Sequence, residues 1–204
     1  SNIVIEGFTT KLNDVFITAD AKELPSGVSV LTKRNGSGAR VMGLNLEASF
    51  ALNRKWNLQL GGTVQNAKYD EAEEIWKSEN GTDVVITKNM LRTPNVYGYY
   101  TLSYNPIKPL TLSLSGVYTG KMDVAHLVDP ETERTVIKRV PDFFENNIKV
   151  AYDFDFKDNC IQVYIGIQNM FNAYQKDFDR GALRDAGYIY GPARPQTFFF
   201  GAKY

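Results

Sequence analysis

The chain has 204 residues, with 23 basic and 23 acidic side chains and a formal net charge of +0. Because the charges balance and form no basic stripe, the composition argues against a nucleic-acid-binding protein. The mean hydropathy is −0.31 and no run approaches about 18 apolar residues, which argues against membrane-spanning helices.

Alternating apolar and polar residues predict about eight β-strands along the chain. The first covers roughly residues 3–12, where the alternation is weak. Seven clearer strands follow, at Gly43–Leu52, Trp56–Val64, Val96–Tyr104, Leu110–Thr119, Phe144–Phe154, Cys160–Asn169 and Thr197–Tyr204. These segments have about the length that a tilted membrane-spanning strand requires.

The two faces of the predicted strands differ in polarity. Side chains of a strand point alternately to opposite faces, so each parity of positions forms one surface. In the seven clear strands the apolar parity carries no charge, whereas Glu47, Lys149, Asp153 and Lys203 have the opposite parity. The pattern predicts one surface against an apolar medium and one against water.

The connections between strands alternate in length. Short ones lie at Asn53–Lys55, Asn105–Pro109 and Asp155–Asn159, and long polar ones at 13–38, 70–93, 120–142 and 173–195. Outer-membrane barrels have this asymmetry, with the short turns in the periplasm. The strand order then predicts that both ends of this chain lie on the periplasmic side.

Aromatic residues of the apolar face gather near the strand ends, as in the belts at membrane–water interfaces. The short-turn side carries Phe50, Trp56, Tyr104, Phe154 and Tyr204, and the other side carries Tyr118, Phe144 and Phe198. We therefore predict an all-β fold, a transmembrane antiparallel up-and-down β-barrel. The alternative is a soluble β-sandwich or lipocalin-like barrel, which packs its apolar face inside.

Three segments of the C-terminal third carry a family resemblance. They are Gln162–Asn172, which ends in Asn-Met-Phe-Asn, then Gly191–Pro195, then Thr197–Tyr204 with the sequence Thr-Phe-Phe-Phe-Gly-Ala-Lys-Tyr. In this order they resemble the ending of a TonB-dependent outer-membrane receptor. The hairpin from Gly38 to Tyr69 also resembles the barrel repeat of that family.

The resemblance implies a barrel of about 22 strands around an N-terminal plug, which imports a scarce nutrient with energy from the inner membrane. This sequence shows no plug domain or TonB box, has too few strands, and stops at Tyr204, where the family commonly continues to a terminal Phe. We expect residues 1–204 to be the C-terminal portion of such a barrel. The expected partners are outer-membrane lipid, the remaining receptor chain (plug and missing strands), TonB through that plug, and a nutrient such as a ferric siderophore, haem or cobalamin.

One long connection combines charged and aromatic residues suited to recognising a ligand at the outer mouth of a barrel. The candidates are Asp177, Asp179, Arg180, Arg184, Asp185, Tyr188 and Tyr190, together with His126 from an earlier loop. An equally weighted interpretation is that Arg180 and Arg184 pair with Asp179 and Asp185 only to order the loop. His126, the only histidine, is more often solvated in such a loop than a haem or metal ligand.

The last strand carries the residues that we predict to be a signal for barrel assembly, namely Phe198, Phe200, Gly201 and Tyr204. One histidine and one cysteine, Cys160, supply no convergent catalytic or metal-binding set, so we predict no enzymatic activity, cofactor or metal.

The function predicted is thus a barrel segment of a transporter in the cell outer membrane of a Gram-negative bacterium. Two alternatives stay open at this point. One is a stand-alone eight-stranded outer-membrane barrel acting as an anchor or adhesin, and the other is a soluble lipocalin-like binding module.

Overall fold

The computed structural model describes residues 1–23, 25, 29–157 and 159–204, and the regular structure in that part of the chain consists of strands alone. In chain order they are β1 Asn2–Leu12, β2 Phe16–Glu23, β3 Ser29–Asn35, β4 Ala39–Ala51, β5 Trp56–Lys77, β6 Val84–Asn89, β7 Val96–Tyr104, β8 Leu110–Thr119, β9 Met122–Asp129, β10 Arg134–Val140, β11 Phe143–Phe156, β12 Asn159–Gln168 and β13 Thr197–Lys203. Within the same residues, no helix is long and apolar enough to cross a membrane.

One antiparallel sheet of nine strands organises the molecule. Its order is β1-β4-β5-β7-β8-β11-β12-β13, and β6 pairs with the far end of β5. The strands on this path are those that the alternation predicts. β7 and β8 have the predicted bounds, and the others differ from the prediction at one or both ends. Each strand on the path pairs with the next one along the chain, so the predicted up-and-down order is confirmed.

The sheet is open at both edges among the described residues. There β1 pairs only with β4, and β13 pairs only with β12. A self-contained eight-stranded barrel requires these edge strands to pair with each other, so the structure does not favour that alternative. In a bilayer, the unpaired backbone groups of both edges need partners, because hydrocarbon offers none.

The cross-strand register collects the apolar side chains on one face. A single row runs through Leu58, Leu102, Leu114, Ile148, Ile167 and Phe198. This face is exposed: Leu44 is 59% accessible, Ile165 60% and Phe200 88%. Exposed apolar surface of this extent marks a face that contacts something other than water. A lipocalin-like barrel would instead pack these side chains into a dry interior, so the structure does not support that alternative.

The hydrophobic cluster that is buried lies at the long-loop end of the sheet. It consists of Met122, Val124, Val140, Tyr188 and Tyr190, with Phe143 packed against it. Its members come from the β9–β10 hairpin and from the connection between β12 and β13. The core of the described residues is therefore a packing of loops, and the sheet itself has no apolar core.

Three of the four long connections contain strands that the sequence did not predict. The β2–β3 hairpin lies in the first, the extended end of β5 pairs with β6 in the second, and the β9–β10 hairpin lies in the third. Their sequence pattern is weak because polar residues occur at both parities of positions. Two short connections are confirmed as turns: β4 ends at Ala51 before Trp56, and β7 ends at Tyr104 before Leu110. The third contains residue 158, which lies outside the described residues.

One polar residue on the apolar face is covered by a neighbouring ring. Asn146 lies in register with Gly116, which lies in register with Tyr100. Because Gly116 has no Cβ, the Tyr100 ring crosses it, and the Tyr100 hydroxyl donates to the Asn146 Oδ1 at 2.8 Å. The amide is only 5% exposed, so its oxygen is satisfied within the sheet rather than exposed to an apolar medium.

Candidate functional site

The connection from β12 to β13 is held at its base by the Asn-Met-Phe-Asn motif. The fully buried Asn169 donates through Nδ2 to the carbonyls of Ala173 and Arg194, both at 2.9 Å, and its Oδ1 accepts from the Ala173 N–H at 2.8 Å. Asn172 accepts from the Gln196 N–H at 3.0 Å. These bonds join the two ends of the loop, which gives the motif a physical role.

Gln175 forms a second clamp, further into the loop. Its side chain is 1% exposed, with Nε2 donating to the Tyr188 carbonyl and Oε1 accepting from the Tyr190 N–H, each at 3.0 Å. An amide can bond donor and acceptor groups of an extended backbone simultaneously, as a neighbouring strand would. Gln175 thereby fixes the aromatic segment Tyr188–Tyr190 without adding a strand.

Asp177 is the centre of a polar group above this clamp. Its carboxylate lies 2.6 Å from the Lys138 ammonium, and it accepts hydrogen bonds from the hydroxyls of Tyr188, at 2.9 Å, and Tyr190. Burial acts to raise the pKa of Asp177, but the bonds from Lys138, Tyr190 and Tyr188 outweigh it and hold that pKa well below its usual range. The carboxylate is therefore charged at neutral pH.

His126 and Asp179 make the second contact between the loop and the β9–β10 hairpin. The His126 Nε2 lies 2.9 Å from the Asp179 Oδ2, and the imidazole stacks on the Tyr188 ring with centroids 3.8 Å apart. The bond with His126, helped by the Asp185 N–H, holds the pKa of Asp179 below its usual range. His126 is only 14% exposed, so the prediction that it is merely solvated is wrong.

Of the two interpretations of this loop, the one that pairs Arg180 and Arg184 with Asp179 and Asp185 does not hold in the structure. Asp185 accepts instead from the Leu127 N–H at 3.0 Å and from the Gly187 N–H at 2.7 Å, and Arg184 donates to the Gly181 carbonyl at 3.2 Å. The acidic residues are used to anchor the loop to backbone groups and to His126. Both arginines are exposed at its tip.

The structure thus divides the predicted ligand residues into two sets. The first, which we call the loop cluster, is mutually bonded: His126, Lys138, Asp177, Asp179, Asp185, Tyr188 and Tyr190. Of these, Lys138 was missed, as were the clamps Asn169 and Gln175, because their partners are remote in sequence. The second set is the loop tip, where Arg180 and Arg184 lie beside the exposed apolar side chains Phe178 and Leu183.

The loop tip can attract an anion and contact apolar surface, whereas the carboxylates of the loop cluster are already bonded. No group of three or more His, Cys, Asp or Glu side chains able to hold a metal occurs in the described parts of the chain. Elsewhere in the loops, the buried Glu73 accepts from the Ser37 N–H and hydroxyl, and Asp129 accepts from Glu131 and Thr132 within a turn. These carboxylates therefore order the loops as well.

Solved structures provide the comparison that sequence does not. No protein-family model matches the chain, and no curated protein matches it by sequence. The siderophore receptor PirA from Acinetobacter baumannii matches 99% of this chain with a TM-score of 0.66 and 14% identity. The ferric-catecholate import receptor Fiu from E. coli K12 matches 98% with a TM-score of 0.61 and 16% identity.

The ferripyoverdine receptor of the outer membrane of Pseudomonas aeruginosa also matches 98% of the chain, with a TM-score of 0.64 and 16% identity. This chain spans 24% of that receptor, 25% of Fiu and 29% of PirA, about a quarter of each. The predicted resemblance is therefore confirmed at the level of fold: the strands of this chain have the arrangement found in about a quarter of an outer-membrane siderophore receptor.

Proposed function

We propose that this chain is the C-terminal portion of the barrel of a TonB-dependent receptor in the outer membrane of a Gram-negative bacterium, and that the whole protein imports a nutrient. The observation that carries the proposal is the exposed apolar face of an open sheet whose fold matches siderophore receptors over nearly its whole length. That face suits lipid, and the two open edges suit the missing strands of a larger barrel.

The open edges also indicate which parts of the receptor would be partners of this sheet. A barrel of about 22 strands has a lumen wide enough to hold a plug, and the polar face of this sheet would line part of it. The plug and the remaining strands are then partners within one chain, and TonB acts through the plug. The exposed aromatic residues Phe198, Phe200 and Tyr204 of β13, with Gly201, are proposed as the assembly signal.

The nutrient that the loop tip suits best is an anionic ferric siderophore, ahead of haem or cobalamin. Arg180 and Arg184 supply positive charge at an exposed position, and Phe178 and Leu183 supply apolar contact. The loop cluster keeps this tip in place, because its acidic groups bond to the β9–β10 hairpin and form no ion pair with the arginines.

The test is uptake of iron-55 as a ferric siderophore by cells whose outer membrane carries the full-length protein. We expect uptake to require the protein and to stop when the proton gradient of the inner membrane is dissipated. The double substitution Arg180→Gln/Arg184→Gln should weaken siderophore binding roughly tenfold. The matched control, Arg54→Gln/Lys55→Gln, removes the same charge from a short turn and should leave binding unchanged.

Uptake that persists without the proton gradient would contradict energised import. Equal siderophore binding by the loop-tip variant and by its control would contradict the assignment of the loop tip, while leaving the barrel assignment intact.

A further inference from the structure

The outer face of the sheet carries three cations in one row. Register places Lys11 of β1 opposite Arg40 of β4, and Arg40 opposite Lys68 of β5. They have the same parity as the apolar residues Ile5, Leu46 and Val64, so they lie on the face that we assign to lipid. We call Lys11, Arg40 and Lys68 the basic row.

The basic row lies immediately beyond the apolar band. On β4 the apolar positions run from Phe50 to Met42, and Arg40 is the next residue on that face. The ten residue steps from Phe50 to Arg40 span about 33 Å, or about 25 Å along the membrane normal at a tilt of about 40°. That height matches the apolar band of an outer-membrane barrel, so the basic row is level with lipid headgroups on the long-loop side.

Like charges directly opposite each other destabilise a sheet. A bound anion would reduce the repulsion within the basic row. All three side chains are exposed. Among the side chains that the structure describes, none of the three is in an ion pair. Arg40 and Lys68 line one shallow depression together with Met42 and Asn66.

Two acidic residues lie near the row, and Asp70 offsets only one of its three positive charges. Asp70 also lines the depression but forms no ion pair within the described residues. Asp123, which accepts from Asn89 beside Lys68, is held by Arg139 at 3.0 Å. The net charge of the patch is positive.

The row of cations ends at β6, where the residue in register with Lys68 is the uncharged Asn89. Farther across the sheet, the outer face at the long-loop end of β8 presents Tyr118, whose hydroxyl donates to Asp142. A uniform band of cations would favour any anionic surface, whereas one basic corner favours a discrete headgroup.

We infer that Lys11, Arg40 and Lys68 bind the phosphate of a lipid in the membrane leaflet on the long-loop side, whose acyl chains cover the apolar residues below. Cations near a membrane surface attract anionic headgroups, and the affinities of several cations multiply. The inference rests on the proposed function, because it requires the apolar face to lie in a bilayer with the long loops outermost.

The experiment measures lipid binding to the full-length protein in a neutral detergent by native mass spectrometry. The probe is dioleoyl phosphatidic acid, and dioleoyl phosphatidylcholine is the comparison lipid with the same tails. We expect the phosphatidic acid to bind, and Lys11→Gln/Arg40→Gln/Lys68→Gln to weaken it about a hundredfold. The control Arg54→Gln/Lys55→Gln/Lys108→Gln removes the same charge from exposed short-turn positions and should bind like the unsubstituted protein.

Each outcome decides the inference. Equal affinity for the two lipids, or equal loss in the control variant, overturns it. Displacement of the lipid by millimolar inorganic phosphate would show a free-phosphate site and overturn the lipid assignment. Heat-modifiable mobility in gels checks that the triple variant is folded; if it is not, the single variant Lys68→Gln serves, with about fivefold weakening expected.

Failure here is separate from failure of the proposed function. Lipid binding without siderophore uptake would contradict only the proposal that the whole protein transports a siderophore. Uptake without selective lipid binding would contradict only the assignment of the basic row as a lipid-binding site.

Discussion

The sheet and the loop cluster use opposite kinds of side chain for opposite purposes. The sheet leaves apolar residues such as Leu44 and Phe200 uncovered, and its regularity comes from backbone pairing. The loop cluster is held by side-chain hydrogen bonds, and the clamps beneath it, the fully buried Asn169 and the nearly buried Gln175, are polar as well. The difference teaches that the medium around each region, rather than hydrophobicity alone, determines which residues are buried.

The largest expected effect comes from placing a charge in the middle of the apolar face. Leu46→Arg should lower the free energy of unfolding in lipid vesicles by about 2–4 kcal/mol, because the guanidinium would sit in hydrocarbon. The adjacent substitution Glu47→Arg places the same group on the polar face and should change the free energy of unfolding by less than about 1 kcal/mol. Urea titration in vesicles measures both, and equal effects would remove the distinction between the faces.

The next largest effect is the loss of local loop stability when the buried amide of the clamp Gln175 is removed. Gln175→Ala leaves the Tyr188 carbonyl and the Tyr190 N–H unpaired, which costs about 1–3 kcal/mol of local stability. Proteolysis within residues 173–195 should accelerate roughly tenfold. The exposed neighbour variant Lys176→Ala is the control; if it is cleaved as fast as Gln175→Ala, the clamp has no role.

A smaller effect tests Asn146, a polar residue on the apolar face that the Tyr100 ring covers. Tyr100→Phe removes the hydroxyl that donates to Asn146, and should cost about 1 kcal/mol of unfolding free energy in vesicles. The comparison variant, Tyr118→Phe, removes a hydroxyl whose acceptor, Asp142, lies at the exposed rim, so its cost should be smaller. A larger loss in Tyr118→Phe would contradict the account.

The smallest effect is the pH dependence of the loop cluster. The folded-state pKa values of Asp177 and Asp179 are lowered, so their stabilisation is complete above the ordinary carboxyl pKa of about 4 and is lost as pH falls below it. Hydrogen exchange of the Tyr188 and Tyr190 amides, corrected for intrinsic rates, should increase between pH 5 and pH 3. In Asp177→Asn that increase should be reduced; an unchanged increase would exclude Asp177 as its source.

Most of the sheet could be predicted from the sequence because seven of its strands contain clear segments of alternating apolar and polar residues. β8, Leu110–Thr119, is an example. It pairs with β7 and β11, the strands before and after it on the sheet path, and every second side chain lies on the same face. The β9–β10 hairpin was missed because Val124 and Val140 are covered by Tyr188 and Tyr190, which lie far away in sequence.

The candidate site was only half predictable for the same reason. The residues of Asp177–Tyr190 were identified from their composition, but a composition does not say which acidic residue meets which partner. Lys138 and His126 reach Asp177 and Asp179 from another hairpin. The buried Asn169 carried a usable signal, since it opens the Asn-Met-Phe-Asn motif, whereas Gln175 lies in no recognisable pattern.

The central claim is that the apolar face lies in hydrocarbon, and the most direct measurement is the accessibility of spin labels attached in the full-length protein in lipid vesicles, with Cys160→Ser as background. Labels at Leu44, Leu46 and Ile165 should collide mainly with oxygen dissolved in lipid. Labels at Asn45, Glu47 and Gln59 should collide mainly with a water-soluble nickel chelate. The opposite assignment, or labels at the first three positions shielded from both reagents, would contradict the account.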